Sequence, residues 1–102
     1  MTMTSKERAT LRGEAHHLVA AVHVGHQGFT STVLATVDDA LRTRELVKVQ
    51  LSKSADEPPR VAANRLADAT SAEVVQVIGR TCTLYRWNPD LQRKSGMPPW
   101  RS

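Results

Sequence analysis

The spacing of the hydrophobic residues restricts the fold of this sequence more than any other feature does. Apolar residues recur every three to four positions in three segments, which is typical of amphipathic helices. Four shorter segments are rich in β-branched residues or alternate between apolar and polar residues, which is typical of strands. The predicted order is a helix over 4–21, a strand over 21–24, a helix over 30–43, a strand over 46–51, a helix starting at 56–59, and strands over 73–78 and 81–86. This order predicts an α/β fold, a two-layer sandwich with a four-stranded mixed sheet, in which right-handed crossovers put the second and third helices on one face.

Two glycine-containing segments predict the turns that connect these elements. Gly25-His26-Gln27-Gly28 follows the first strand and leads into the second helix. Thr30 is a good N-cap for that helix, and Phe29 and Leu34 occupy the two positions of a hydrophobic staple. Gly79-Arg80 separates the last two strands, which predicts a tight hairpin with Arg80 at its turn.

The length and composition predict one domain followed by a tail. A chain of 102 residues suits a single domain with a modest core. From residue 87 onward the sequence is dominated by Asn, Pro, Gln, Lys, Ser and Gly, which bury too little apolar surface to be ordered alone. We therefore expect a domain over 1–86 and a flexible C-terminal tail over 87–102.

Charge, cysteine content and hydropathy exclude several classes of protein. The net charge of +4 is modest and is spread thinly, so charge alone does not identify a polyanionic partner. Cys82 has no partner in the chain, which excludes an intramolecular disulfide framework and a four-cysteine zinc module. No apolar segment approaches the roughly 20 residues that cross a bilayer. We expect a soluble, cytoplasmic, monomeric protein that binds neither a membrane nor a small-molecule substrate.

The segment Gly25 to Gly28 has a possible chemical use. Glycines allow the backbone to approach a phosphate closely, and the N-terminus of the following helix presents unpaired N–H groups. KH domains use such a loop to clamp nucleotides, although their loop joins two helices. No Lys-Ser or Lys-Thr follows Gly28, so nothing indicates nucleotide hydrolysis. Taken alone, the tetrapeptide is weak evidence, and a structural turn explains it better.

Several segments together carry a resemblance to a known family. They are Leu11-Arg12 with Ala15-His16-His17-Leu18, Val24 to Thr30, Glu45 to Val49, Val74 to Arg80, and Leu84-Tyr85-Arg86. In sequence, order and spacing they resemble the CRM domain family, named for chloroplast RNA splicing and ribosome maturation, in its bacterial single-domain YhbY form. The resemblance implies a non-catalytic RNA-binding domain without a cofactor, similar in fold to the C-terminal domain of translation initiation factor 3. It also implies a role in ribosome biogenesis, with precursor rRNA of the large ribosomal subunit as the partner.

The resemblance also implies which residues bind the RNA. The family's glycine loop corresponds to Gly25, His26, Gln27 and Gly28. Its basic positions correspond to Lys48 in a strand, Arg80 in the hairpin and Arg86 at a strand end, and we expect Lys6, Arg8 and Arg12 to add charge from the first helix. The sequence departs from the family where His26 replaces the usual lysine and where Thr70-Ser71 replaces a glycine after the third helix. A neutral histidine adds no charge, so the affinity for RNA is expected to be weaker or more dependent on pH.

Three other interpretations remain open from the residues. His16, His17, His23 and His26 invite a metal site, but adjacent histidines on a helix point about 100° apart and no Asp or Cys lies among them. The same histidines with Lys48 or Arg80 contain what a ribonuclease needs. A protein-binding adaptor that docks through the polar sheet face and the tail is the third alternative. Our preferred prediction includes no metal and no catalytic residue.

Overall fold

The computed structural model describes residues 3–25, 27–52, 57–91 and 98–101. Its elements are α1 (Ser5–Ala15), β1 (Val22–His23), α2 (Ser31–Arg44), β2 (Leu46–Gln50), α3 (Pro59–Thr70), β3 (Glu73–Ile78), β4 (Thr81–Tyr85) and a short 3-10 helix (Pro99–Arg101). The four strands form one sheet in the order β1-β2-β4-β3, with β1 parallel to β2 and the other two pairs antiparallel. The predicted α/β class and four-stranded mixed sheet are therefore confirmed.

The first helix is shorter than its hydrophobic spacing predicts. It begins at a capping box, in which the Thr4 hydroxyl accepts from the Glu7 N–H and the Glu7 carboxylate accepts from the Thr4 N–H. It ends at Ala15 rather than at residue 21, so the prediction is wrong at this end. The reason is that Ala21 already belongs to the sheet edge, where its N–H donates to the carbonyl of Lys48. Pairing with the sheet overrides the helical spacing of the apolar residues.

The second helix begins where the sequence predicts. Thr30 has extended backbone angles, and its hydroxyl accepts from the N–H of Val33, so it is the N-cap. Phe29 and Leu34, the two predicted staple positions, both pack against the main core. The direction in which the chain enters α2 is thus fixed by residues next to the glycine loop.

Two clusters of apolar side chains lie on opposite faces of the sheet. The main cluster joins Val47, Val49 and Leu84 of the sheet to α2 and α3, which lie on the same face as predicted. Leu46, next to Val47 in β2, belongs to a second cluster with residues of α1. Neighbouring residues of a strand point to opposite faces, so α1 covers part of the other face.

The turns after α3 and β3 use left-handed backbone. Gly79 has φ +57 and forms a two-residue hairpin turn between the paired residues Ile78 and Thr81, as predicted. Ser71, which stands where the resemblance leads us to expect glycine, ends α3 with φ 56 and ψ 36. The backbone conformation that glycine favours is therefore kept here without a glycine.

The last described residues lie against the domain. The ring of Trp100 meets that of Tyr85 edge-on, with centroids 6.2 Å apart, and its indole N–H donates to Glu14 Oε1 at 3.3 Å. Residues 92–97 of the predicted tail lie outside the described residues, so the boundary at residue 86 and the flexibility of the tail stay predictions. Within the described ranges, no helix combines the length and hydropathy needed to span a bilayer.

Candidate nucleic-acid interface

The glycine loop presents an open stretch of backbone at the start of α2. The N–H of Gly28 donates to the carbonyl of Gly25 at 3.1 Å, and the N–H of Thr30 donates to the carbonyl of Gly28 at 3.0 Å. Gly28 has φ +74, a conformation that side chains disfavour. Among the described residues beyond its chain neighbours, no atom lies within 4 Å of a Cβ added at Gly25 or at Gly28, so both positions have open space. The predicted contact at His26 lies outside the described residues.

A groove of about 360 Å³ lies beside this loop. Its apolar lining includes Val24, Leu51 and Ala62, each of which is buried. Its polar lining comes from separate parts of the chain: Gln27 of the loop, Ser52, Glu57, Arg65 of α3 and Arg80 of the hairpin. The loop is therefore one side of a mixed apolar and charged groove.

Arg80 is held at this groove by both its backbone and its side chain. Its carbonyl accepts from the N–H of Leu51 at 2.7 Å, and its guanidinium Nη1 donates to the carbonyl of Ser52 at 2.9 Å. A guanidinium carries five N–H donors, so this bond leaves others that point elsewhere. The predicted residues Gly25, Gln27, Gly28 and Arg80 are thus brought together by the fold.

Sequence reasoning missed Arg65, which lies in the same groove. Its Nη1 is 2.5 Å from Glu57 Oε1, and its Cζ lies over the ring of Phe29, 5.2 Å from the centroid. The hydrogen bond to Glu57 and the charge of that carboxylate raise the pKa of Arg65. The side chain is still 59% exposed. No local signal marks Arg65, because its partners are distant in sequence and the helical pattern only places it off the apolar face.

Lys48 lies away from the loop and has an internal partner. Its side chain is half-buried in β2, and Nζ donates to the carbonyl of Leu18 at 3.0 Å. This bond holds the connection between α1 and β1 against the sheet. The charge of Lys48 remains, because its partner is a neutral carbonyl.

Arg86 lies at the other end of β4 from Arg80. The five-residue strand between them spans about 17 Å. The guanidinium of Arg86 donates to Asp38 Oδ1 and to the carbonyl of Thr70, both at 2.7 Å, and to the carbonyl of Asp38 at 3.1 Å. Arg86 therefore joins the end of α3 to α2, and the fold does not bring it to the glycine loop.

The predicted cations of α1 are not among the residues that line the groove beside the loop. Arg8 donates to the carbonyl of Val74 in the edge strand β3. Arg8 and Arg12 line a separate groove of about 640 Å³ that follows β3, together with Arg60 of α3. Lys6 is exposed on the first turn of α1. Contact of these residues, and of Lys48 and Arg86, with a nucleic acid stays a prediction.

Three of the four histidines fall within the described residues. His16, His17 and His23 are all exposed. In the part of the chain that the structure describes, no three His, Cys, Asp or Glu side chains converge as a metal site would require. Cys82 is buried in β4, within the main core.

Comparison with known proteins connects this geometry with a family. Residues 3–86 match the CRS1 / YhbY (CRM) domain. The chain is 36% identical to a protein of Haemophilus influenzae named RNA-binding protein, over 95% of this chain and 96% of that one. It is 33% identical to the probable RNA-binding protein YqeI of Bacillus subtilis, over 82% and 88% of the two chains. It is 40% identical to a probable RNA-binding protein of Methanocaldococcus jannaschii, over 90% of this chain and 72% of that one.

A solved structure has the same fold. The solution structure of the protein SAV1595 from Staphylococcus aureus superimposes with a TM-score of 0.77 and 28% sequence identity, over 96% of this chain and 99% of that one. The family match, the similar relatives and the shared fold agree with the motifs found in the sequence. The chain belongs to the CRS1 / YhbY (CRM) domain family.

Proposed function

We propose that this protein is a non-catalytic RNA-binding protein that acts in assembly of the large ribosomal subunit. Its partner is precursor rRNA of that subunit, which it binds as a cytoplasmic monomer without a cofactor. The names of its relatives support RNA as the partner. The subunit follows from the resemblance of its motifs to the YhbY form of the family.

One observation carries this proposal: an uncovered glycine loop that leads into α2, beside two arginines. The loop leaves space for close approach, because a Cβ at either Gly25 or Gly28 would meet no described atom within 4 Å beyond the adjacent residues. The positive end of the helix dipole and the guanidinium of Arg80 favour an anion at the loop, whereas the charge of Arg65 is partly offset by its pairing with Glu57. Backbone phosphates of RNA have the charge that such contacts require.

The test is a titration of fluorescent large-subunit rRNA fragments with the wild-type protein and a Gly25→Asp variant, at two salt concentrations. Gly25 is preferable to Gly28 because it does not have a positive φ, and the new side chain has open space. The added carboxylate repels phosphates at the loop, so we expect affinity to fall about tenfold at low salt. Wild-type affinity should also fall with salt, because each contacted phosphate releases counterions.

The matched control is Gly13→Asp, which makes the same substitution at an uncovered position of α1. It changes the net charge equally but lies outside the loop, so a weaker effect than that of Gly25→Asp supports the loop as the contact. Equal effects of the two variants would indicate that RNA contacts α1, or that affinity depends only on the net charge of the protein. Absence of binding by the wild-type protein would contradict the proposal and favour a protein-binding adaptor. Circular dichroism checks that both variants fold.

A further inference from the structure

We propose that the groove beside the glycine loop binds one unpaired guanine base, with the guanidinium of Arg65 as its stacking surface. This inference rests on the proposed function, since it concerns which part of a bound RNA enters this groove. Phosphate contact at the loop needs only charge and open backbone. The groove has further features that phosphate contact does not use, and these indicate a base.

The first feature is the apolar lining. Val24, Leu51 and Ala62 line the groove together with Phe29, which is half-buried. A phosphate gains nothing from an apolar surface, whereas a flat nucleobase buries its faces there. Because the three aliphatic side chains are almost fully buried and the Phe29 ring already faces Arg65, this lining adds a small apolar contact for a base, and the arginines and Glu57 carry the choice of ligand.

The second feature is the way Arg65 is held. Glu57 fixes one edge of the guanidinium at 2.5 Å, and the ring of Phe29 lies 5.2 Å from Cζ on one side. The side chain as a whole remains 59% exposed, so a ligand in the groove can reach it. A fixed, planar cation is a stacking surface for an unpaired base, as aromatic rings are. In a chain with four aromatic residues, an arginine placed in this way can replace one.

The third feature is the pair of polar groups at the groove. A carboxylate repels phosphates, so Glu57 is a poor neighbour for the RNA backbone. It is a good acceptor for base N–H groups, and guanine presents two of them side by side on its Watson–Crick edge. Arg80 can donate to the guanine O6 with N–H groups not used by Ser52. An acceptor from Glu57 and a donor from Arg80 match guanine better than they match the other bases.

The probes for the test are fluorescent RNA hairpins that share one stem and a uridine loop. The central loop nucleotide is guanosine, adenosine, cytidine, uridine or an abasic ribose, and a large-subunit rRNA fragment is titrated in parallel. Wild-type protein should bind the guanosine hairpin about tenfold more tightly than the abasic one, because stacking on a single base contributes a factor of this order. It should prefer guanosine over adenosine by several-fold.

Two variants test the roles of the named side chains. Arg65→Lys keeps the positive charge and removes the planar guanidinium. It should reduce the ratio of the affinities for the guanosine and abasic hairpins to less than about threefold. Glu57→Gln replaces the double acceptor, so it should remove the preference for guanosine over adenosine. The control is Arg60→Lys, the same substitution in the same helix at the other groove, which should leave base preference unchanged.

Each alternative outcome contradicts a particular step. Equal wild-type affinity for guanosine and abasic hairpins, or binding of the rRNA fragment but of no hairpin, would overturn the base site and leave the proposed function standing. An Arg65→Lys variant that keeps the wild-type difference would show that Arg65 is not the stacking surface. Failure of the wild-type protein to bind the rRNA fragment or any hairpin would overturn the proposed function itself.

Discussion

Arg86, one of the predicted RNA-binding residues, makes three side-chain hydrogen bonds within the fold, so its replacement tests this part of the structure. The bond from its charged guanidinium to the partly buried carbonyl of Thr70 is of a type that contributes about 1.5–3 kcal/mol. The ion pair with Asp38 adds at most about 1 kcal/mol, because the Asp38 side chain is 52% exposed. We predict that Arg86→Met lowers the free energy of unfolding by about 2–3 kcal/mol.

Urea unfolding followed by circular dichroism measures this change. Arg86→Lys should recover only part of the loss, because one ammonium group does not reach all three acceptors that the guanidinium bonds. Arg44→Met is the control, since Arg44 is exposed in the last turn of α2 and its loss should change stability by no more than about 0.5 kcal/mol. In thermal unfolding the Arg86→Met variant should melt at least about 8 °C lower.

A stable Arg86→Met variant would refute this reasoning. If its free energy of unfolding stays within about 0.5 kcal/mol of the wild-type value, the three bonds contribute nothing measurable. Loss of rRNA binding by such a stable variant would then assign Arg86 to the RNA, as the family resemblance implies. Retained binding by a destabilised but folded variant would instead assign it to the junction of α2 and α3.

Three further predictions concern other parts of the fold. Ser71→Gly should raise the free energy of unfolding by about 1 kcal/mol, because glycine adopts the left-handed backbone at the end of α3 without steric cost; an unchanged melting temperature would contradict this. Burial raises the pKa of the Cys82 thiol to about 12, whereas an unfolded thiol loses its proton near about 8.5. Between these pH values the unfolded state binds fewer protons than the folded state, so the free energy of unfolding falls as the pH rises. For the wild-type protein it should fall by up to about 1.4 kcal/mol per pH unit more steeply than for Cys82→Ala. Parallel plots of stability against pH for the two proteins would exclude this contribution. Acrylamide should quench the fluorescence of Trp100 less than that of Trp87, because Trp100 packs on Tyr85 while Trp87 is 54% exposed. The fluorescence of Trp100 is measured in a Trp87→Phe variant, and that of Trp87 in a Trp100→Phe variant. Equal quenching would show that the contact between Trp100 and Tyr85 does not persist in solution.

The sequence predicts the elements of this fold well because their signals are local. The N-cap at Thr30, the alternation in β2 and the glycine turn at Gly79 each depend on a few neighbouring residues. The end of α1 could not be predicted in this way. The apolar residues continue at helical spacing after Ala15, and only pairing with β2 shows that the chain has left the helix.

The candidate site could be predicted only in part, for the same physical reason. The glycine loop and Arg80 carry local signals, and the fold places both at one groove. Arg65 carries none, because its role depends on Phe29 and Glu57, which reach it only in the folded chain. The sequence pattern therefore identifies the glycine loop, whereas only tertiary contacts identify Arg65 beside it.

The basic residues of this protein differ in how much charge they offer to RNA. Lys48 and Arg80 donate to neutral carbonyls, and these bonds do not offset their positive charges. Arg86 is paired with Asp38, and Arg65 is paired with Glu57, so the fields of these two cations are partly cancelled at a distance. A partly neutralised arginine contributes less to long-range attraction, but its guanidinium plane remains available for a base at close range. In the proposed complex the paired Arg65 and Glu57 would suit short-range recognition of a base, while Lys48 and Arg80 would supply the attraction that depends on salt.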